Sequence, residues 1–403
     1  MPSDRQPRIA ELCSEPARAA LAEWAGNPRA ASDRLGLAEF LRSRFAPELA
    51  RALAEQFELR QRAATKFADP ARVILQRKEL EQATRVDVAR WRAARVKHFA
   101  PKSAVVDATC GLGGDALALI GEGLETLALE RDELTAGMAA HNLRELTGRN
   151  CVVLGSAVHP PVRAQYWCID PDRRAAGAAG LDPQSWSPPL SVALALARGA
   201  LGACIKLAPG IDVARCNLPD AVDWPWRPTW VSAGGELREC SLWCGEWAPN
   251  AAPDEREVVL LDTHASLCAV PRGAAALDPQ AAAAVRWLAE PDPGLIRSGL
   301  LGNVALRTGA RPLAAQIAYL GSMDLIEDPL LRAWPVLAAC TLDPKHVRRM
   351  LAAHDIGSIE VRKRGHPEPA EVLAKKFHGP GKLHGVLAIA RLERGHMAYL
   401  LGR

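Results

Sequence analysis

The run Ala104-Val105-Val106-Asp107-Ala108-Thr109-Cys110-Gly111-Leu112-Gly113-Gly114-Asp115-Ala116-Leu117-Ala118-Leu119-Ile120 constrains this chain more than any other stretch. Apolar residues suited to a buried strand lead through a glycine turn into an apolar run of helical character. A strand feeding a helix in this way implies a parallel sheet, because the helix must be laid back against the sheet it leaves. The same turn builds a ligand site from backbone alone. Gly111 and Gly113 can take positive φ and carry no Cβ, so the chain bends sharply and a ligand can lie against it. The first N–H groups of the helix then point into the site. About 20 residues on, the strand Thr126-Leu127-Ala128-Leu129 ends in Glu130, an acid suited to accept hydrogen bonds from a ribose.

The turn reads G-x-G-G, so the third glycine of a dinucleotide site, which packs helix against strand, is missing. Asp107, ahead of the glycines, repels a pyrophosphate and suits a cationic, amino-acid-bearing ligand. That combination is the signature of S-adenosylmethionine (SAM) in doubly wound methyltransferases; a plain βα turn is the competing reading. The expected cofactor contacts are Asp107 near the methionine amino group, Thr109, Gly111 and Gly113 through their backbone, Asp115, Glu130 at the ribose, Ser156 and Asp170. Gly155-Ser156-Ala157, after the third strand, lacks an acid for the adenine, which leaves the Ser156 hydroxyl for that role.

At 403 residues the chain exceeds one ordinary domain. Residues 1–98 read as helical, with apolar residues at helical spacing over Ala17–Ala22 and Leu35–Arg44 and an interrupted stripe across 71–98. From 99 to 280 strands and helices alternate: strands at Ala104–Asp107, Thr126–Glu130, Cys151–Leu154, Gln165–Asp170 and Ala203–Leu207, then a hairpin of Thr229–Ser232 and Leu237–Trp243 about Gly234-Gly235. The expectation is a doubly wound, seven-stranded Rossmann-like α/β sheet. Residues 285–403 read as a small α+β unit, with helices at Leu313–Tyr319, Leu330–Cys340, His346–His354 and Glu368–Phe377 and strands at Ser358–Arg362, Gly385–Leu392 and Met397–Leu401. No apolar run is long enough to span a membrane. The ten cysteines form no C-x2-C pair, which points away from a metal site and towards a reducing, cytoplasmic setting.

Asp170-Pro171-Asp172-Arg173-Arg174 ends the fourth strand, beside the expected position of the sulfonium methyl. Asp170 there can orient a substrate, and Arg173 and Arg174 can fork onto phosphate oxygens; a D-P turn with two solvated arginines is the alternative. No aromatic follows Pro171 to stack a target base, and Ser187-Pro188-Pro189-Leu190 reads as a helix start. The Ala-, Gly- and Pro-rich stretch 173–189 suits a lid or a surface loop. Cys110, inside the turn, reads as structural. Net charge is only +4, yet residues 341–403 carry twelve bases against six acids. Arg362, Lys363, Arg364, Lys375 and Lys376 are candidate RNA contacts in that segment, and a merely solvated basic surface is the competing reading.

The 107–115 turn, Asp170 to Arg174, Lys206-Leu207-Ala208-Pro209-Gly210-Ile211-Asp212, Leu80-Glu81-Gln82-Ala83-Thr84 and Lys363-Arg364-Gly365 together resemble bacterial class I SAM-dependent methyltransferases with a C-terminal THUMP-like domain, over roughly residues 70–403. The first motif is also similar to that of trimethylguanosine synthases and of a bacterial small-subunit rRNA guanine methyltransferase, although their P-P-aromatic or D-P-aromatic turn is absent. The resemblance implies SAM as cofactor and an RNA, tRNA or rRNA, presented by the terminal domain. A small-molecule methyltransferase using 173–189 as a lid and a non-catalytic RNA-binding protein remain as alternatives; a dinucleotide enzyme fits least.

Overall fold

Apolar residues at helical spacing organise the first hundred residues. In the computed structural model, which describes residues 9–173, 182–218 and 223–402, they form α1 (Ile9–Leu12), α2 (Glu15–Ala25), α3 (Arg34–Arg42) and α4 (Pro47–Arg62). Prolines in the first turn open α2 and α4, where a missing N–H costs nothing. Asp33 caps α3 by accepting the Gly36 N–H at 2.8 Å. The apolar faces, among them Leu21, Trp24, Leu41, Leu53 and Phe57, close on one core with Phe67, Ile74 and Leu75. Two further helices follow, α5 (Arg77–Gln82) and α6 (Val86–Phe99).

The chain divides into two compact units, Met1–Trp226 with Ser241–Ala251, and Arg227–Cys240 with Ala252–Arg403. In the first, β1 (Ala104–Asp107), α7 (Gly114–Gly121), β2 (Glu125–Glu130), α8 (Glu133–Thr147), β3 (Val152–Leu154), β4 (Tyr166–Ile169), α9 (Leu190–Arg198) and β5 (Gly202–Leu207) alternate as expected. The five strands are parallel, in the order β3-β2-β1-β4-β5. The order reverses between β1 and β4, the place where open sheets of this kind leave a crevice for a ligand.

The hairpin lies where its glycines place it. β6 (Trp226–Ala233) turns through Gly234 and Gly235, at φ +64° and +70°, into β7 (Glu236–Gly245). The second half of β7 lies beside β5 in the first unit, where Trp243 and Trp247 pack with Tyr166. In the second unit the first half of β7 is followed by β6, β8 (Arg256–Leu260) and β9 (Ala265–Ala269). The first unit's order, β3-β2-β1-β4-β5, is that of a doubly wound α/β sheet, and the fold class is as expected.

The remaining strands of the second unit are β10 (Trp287–Pro291), β11 (Arg311–Pro312), β12 (Leu320–Ser322), β13 (Leu331–Thr341), β14 (Ile356–Arg364), β15 (Leu383–Arg391) and β16 (His396–Leu401), forming a sheet in the order β11-β12-β10-β13-β16-β15-β14. Helices Pro344–Ala353 and Ala370–Lys376 bury Val347, Leu351 and Leu373 against it. Two expected helices are absent here. Leu330–Cys340 is the strand β13: Pro335 has no N–H to donate within a helix, and the ladder to β16 shifts register between Val336 and Ala338, just beyond it. Leu313–Tyr319 is irregular, with Gln316 at φ +63°, a conformation that no helix accommodates. No helix among the described residues is long and apolar enough to cross a membrane.

Candidate functional site

The two turn glycines do different work. Gly111, at φ +53°, lines the cleft, and a Cβ added to it would meet nothing within 4 Å. Gly113, at φ +89°, precedes α7, and its added Cβ would face Leu143 Cγ at 3.4 Å, in the core. Glu130 ties the turn to the end of β2. Its Oε2 accepts the Gly111 N–H at 3.0 Å, while Oε1 accepts those of Arg131 and Asp132 at 2.8 and 2.9 Å. A carboxylate offers about four acceptor positions, so roughly one is left for a ligand hydroxyl. The cleft has a volume of about 1250 Å³, above the roughly 300–1,000 Å³ of an ordinary small-molecule site, which leaves room for more than one ligand. Thr109, Gly111, Asp115, Glu130, Ser156, Asp170 and Arg173 all border it.

A charged cluster lies beneath. Asp107 is 3% exposed; one oxygen accepts the Thr109 N–H at 3.3 Å, and Oδ2 has no hydrogen-bond partner among the described residues. Burial, reinforced by the charges of Asp115 and Asp170 and opposed by Lys206, pushes its pKa up to about 8. The carboxyl therefore holds its proton at neutral pH. Burial works the same way on Asp115, but Arg92 at 2.7 Å and Lys206 at 3.7 Å win, with help from the Thr84 hydroxyl at 3.2 Å, and hold its pKa below the ordinary value. The Lys206 ammonium also donates to the Asp170 carboxylate and, at 2.6 Å, to Thr84 Oγ1. Thr109 Oγ1 accepts the Asp170 N–H at 2.7 Å, locking the ends of β1 and β4 together.

Asp107 and Gly113 thus support the cleft from behind. Arg173 reaches its rim as an exposed side chain, and Arg174 lies outside the described residues. Asp172 and Ser187 exchange backbone hydrogen bonds at 2.8 and 3.0 Å, which draws the two ends of the 173–189 stretch together. Burial raises the Cys110 thiol well above its ordinary pKa, so it is no nucleophile. Sequence reasoning missed Arg92, noted Lys206 and Thr84 within motifs of the resemblance without giving them a role, and missed that α5 and its flanks supply a wall of the cleft through Gln76, Glu79 and Gln82. A lysine inside the apolar strand Ala203-Cys204-Ile205-Lys206-Leu207 was the available signal. Among the described residues no group of three or more His, Cys, Asp or Glu is placed to hold a metal ion.

The terminal basic residues are less free than their number suggests. Arg362 and Arg364 both pair with Glu290, at 2.6 and 3.1 Å, and Arg362 also pairs with Glu360 at 2.9 Å. Lys363 donates to the His366 carbonyl at 2.8 Å. Lys375 and Lys376 are exposed on the helix Ala370–Lys376, with Lys376 3.4 Å from Glu368.

The fold is that of a proposed methyltransferase from Porphyromonas gingivalis W83, whose crystal structure aligns over 92% of this chain and 97% of its own with a TM-score of 0.71 at 20% identity. The likeness gives this chain the fold of class I methyltransferases, with its cleft beside the carboxyl ends of β1 and β4. Two Mycobacterium tuberculosis proteins, from strains CDC 1551 and H37Rv, are each described as an uncharacterized S-adenosylmethionine-dependent methyltransferase. Each is 29% identical over 357 residues, covering 86% of this chain and 94% of the relative. Residues 331–403 match the family described as THUMP domain-like.

Proposed function

We propose that the protein transfers a methyl group from SAM, bound on the 107–115 turn, to a base of a tRNA or rRNA engaged by the THUMP-like segment. The observation that carries the cofactor half is the buried, unpartnered Asp107 Oδ2 beneath a turn whose N–H groups and Glu130 border the cleft. A cationic amino group in the cleft answers this oxygen through space, across the Ala108-Thr109 lining that covers it. Gly111 lies against the ligand, Glu130 takes a ribose hydroxyl, Ser156 faces the adenine, and Thr109 and Asp115 hold the turn in shape. Asp170, fixed by Lys206, orients the acceptor, and Arg173 meets its phosphate at the rim. In-line alignment with the electrophilic methyl supplies much of the acceleration. For RNA the support is the THUMP-like match and the basic excess of the segment, with Lys375 and Lys376 as its exposed contacts. The setting we propose is the reducing cytoplasm, where the ten unbridged cysteines stay as thiols.

A small-molecule methyltransferase is the second reading, favoured by one observation: the cleft is lined by seven acidic residues and four basic ones, which opposes a polyanion. Incubation with methyl-tritiated SAM and either total RNA or a metabolite extract separates the two. Label in RNA supports the proposal; label confined to the extract overturns the RNA half. No heat of binding with SAM in isothermal titration overturns the cofactor half.

A further inference from the structure

Gln76, extended at φ -122° and ψ 141°, immediately precedes α5, and Glu79 sits in the first turn of that helix, three residues on. Both line the cleft. Each carries one buried oxygen, Gln76 Oε1 and Glu79 Oε2, with no hydrogen-bond partner among the described residues. Other acids of the cleft are answered: Asp115 by Arg92, Asp170 by Lys206, Glu130 by three backbone N–H groups and Asp172 by Gln82. Native proteins seldom leave buried acceptors unmade, and where they do the gap calls for an explanation. Two unanswered acceptor oxygens, one of them on a carboxylate, disfavour a phosphate, a carboxylate or a carbonyl edge at that point, where oxygen would face oxygen. They can receive N–H donors, as a carboxylate does from the exocyclic amine of cytosine.

Resting on the methyltransferase reading above, we propose that Gln76 and Glu79 form the acceptor subsite and recognise the N–H edge of a nucleobase with an exocyclic amine. The base enters the cleft and the phosphates stay outside, which reconciles an acidic cleft with a polyanionic substrate. The helical segment before the sheet is then what selects the substrate. The same edge belongs to a free nucleoside and to a base in RNA, and the test has an arm for each.

Full-length protein saturated with S-adenosylhomocysteine is probed by saturation-transfer NMR with cytidine, guanosine and N3-methyluridine, whose base has no N–H. Fluorescence anisotropy with short oligocytidine and oligo-N3-methyluridine forms the second arm. Glu79→Met and Gln76→Met follow, with the affinity for S-adenosylhomocysteine measured by titration calorimetry. The expected result is a preference of at least about tenfold for the amine-bearing base, the value of a hydrogen bond to a charged group, in one arm or both. Signal in the nucleoside arm alone identifies a free nucleoside, and signal in the oligonucleotide arm identifies RNA; both support the subsite. The variants should abolish the preference and keep the calorimetric affinity within about twofold. No preference in either arm, or a preference that survives both variants, overturns the subsite alone. So does a loss of S-adenosylhomocysteine affinity in the variants, because the wall would then serve the cofactor. If the wild type fails to bind S-adenosylhomocysteine, the underlying methyltransferase reading falls first.

Discussion

With Asp107 in the proposed role of partner to the SAM ammonium, cofactor binding should be a proton-coupled event. In the free protein burial and the charges of Asp115 and Asp170 outweigh Lys206 and hold the carboxyl near pKa 8, so between pH 6 and 7 it carries its proton. An ammonium placed about 4 Å away, at an effective dielectric of about 20, favours the ionised form by about 4 kcal/mol, roughly a thousandfold loss of proton affinity. Across that range the free protein keeps the proton and the complex does not. Between pH 6 and 7 binding should therefore release about one proton, and affinity should rise by up to about tenfold per pH unit until the ligand's own amino group, with an ordinary pKa of about 8, begins to lose its charge. The sign follows from the direction of the shift: a carboxyl raised by burial must be ionised to hold a cation, and that becomes easier as pH climbs towards 8. Titration calorimetry in buffers of different ionisation enthalpy counts the protons directly. Asp107→Asn, which cannot ionise, should bind more weakly and remove the released proton; between pH 6 and 7 the ligand's amino group is already protonated when free and adds little to the count. Equal proton counts for wild type and Asp107→Asn would refute the reasoning.

Gly111→Ala should fold at a cost of about 1–2 kcal/mol for a side chain in the left-handed region, yet lose SAM affinity because its Cβ projects into the cleft. Wild-type affinity by calorimetry would remove the turn from the site. Lys206→Met takes the cation from between Asp115 and Asp170 and should cost about 3–5 kcal/mol, roughly 6–20 °C in melting temperature for a unit of this size, whereas Lys206→Arg should recover most of it. A melt within 2 °C of wild type contradicts the cluster as described. Replacing Lys375 and Lys376 by Ala should flatten the salt dependence of tRNA binding by about two in log–log slope without altering the melt. Replacing Arg362 and Arg364 should instead lower the melt, by stranding Glu290, while changing the slope little; the reverse pattern would return the docking role to the arginines.

What the sequence made legible was local. Ala104–Asp107 has the bounds read from its apolar run, and the hairpin about Gly234-Gly235 follows from two residues that tolerate positive φ. Helix starts after Gly114 and at Leu190 likewise follow from turn chemistry. Leu330–Cys340 failed because its apolar content fits either period, and Pro335, the residue that decides against a helix, went unweighed. In the cleft, the turn and Glu130 are adjacent through a short βαβ connection and so were visible. Arg92, Thr84 and Lys206 converge on Asp115 only once α6 and β5 are packed, and no spacing along the chain encodes that meeting.

Charge sorting within the chain narrows what the cleft can accept. Residues 341–403 carry twelve bases and six acids, whereas the cleft lining carries seven acids and four bases. A polyanion is attracted to the first field and repelled by the second. A sulfonium with an ammonium is suited to the second, and burial raises the Asp107 pKa to about 8, so on the proposed binding mode such a cation should displace its proton. Arg362 and Arg364 neutralise Glu290, so the net charge of the terminal segment overstates the cations available to phosphate. Affinity for RNA should accordingly be modest and strongly salt-dependent, while discrimination falls to whatever part of the substrate crosses into the acidic cleft. A base stripped of its phosphates meets that requirement, and the unpartnered oxygens of Gln76 and Glu79 specify the hydrogen-bond donors it must bring.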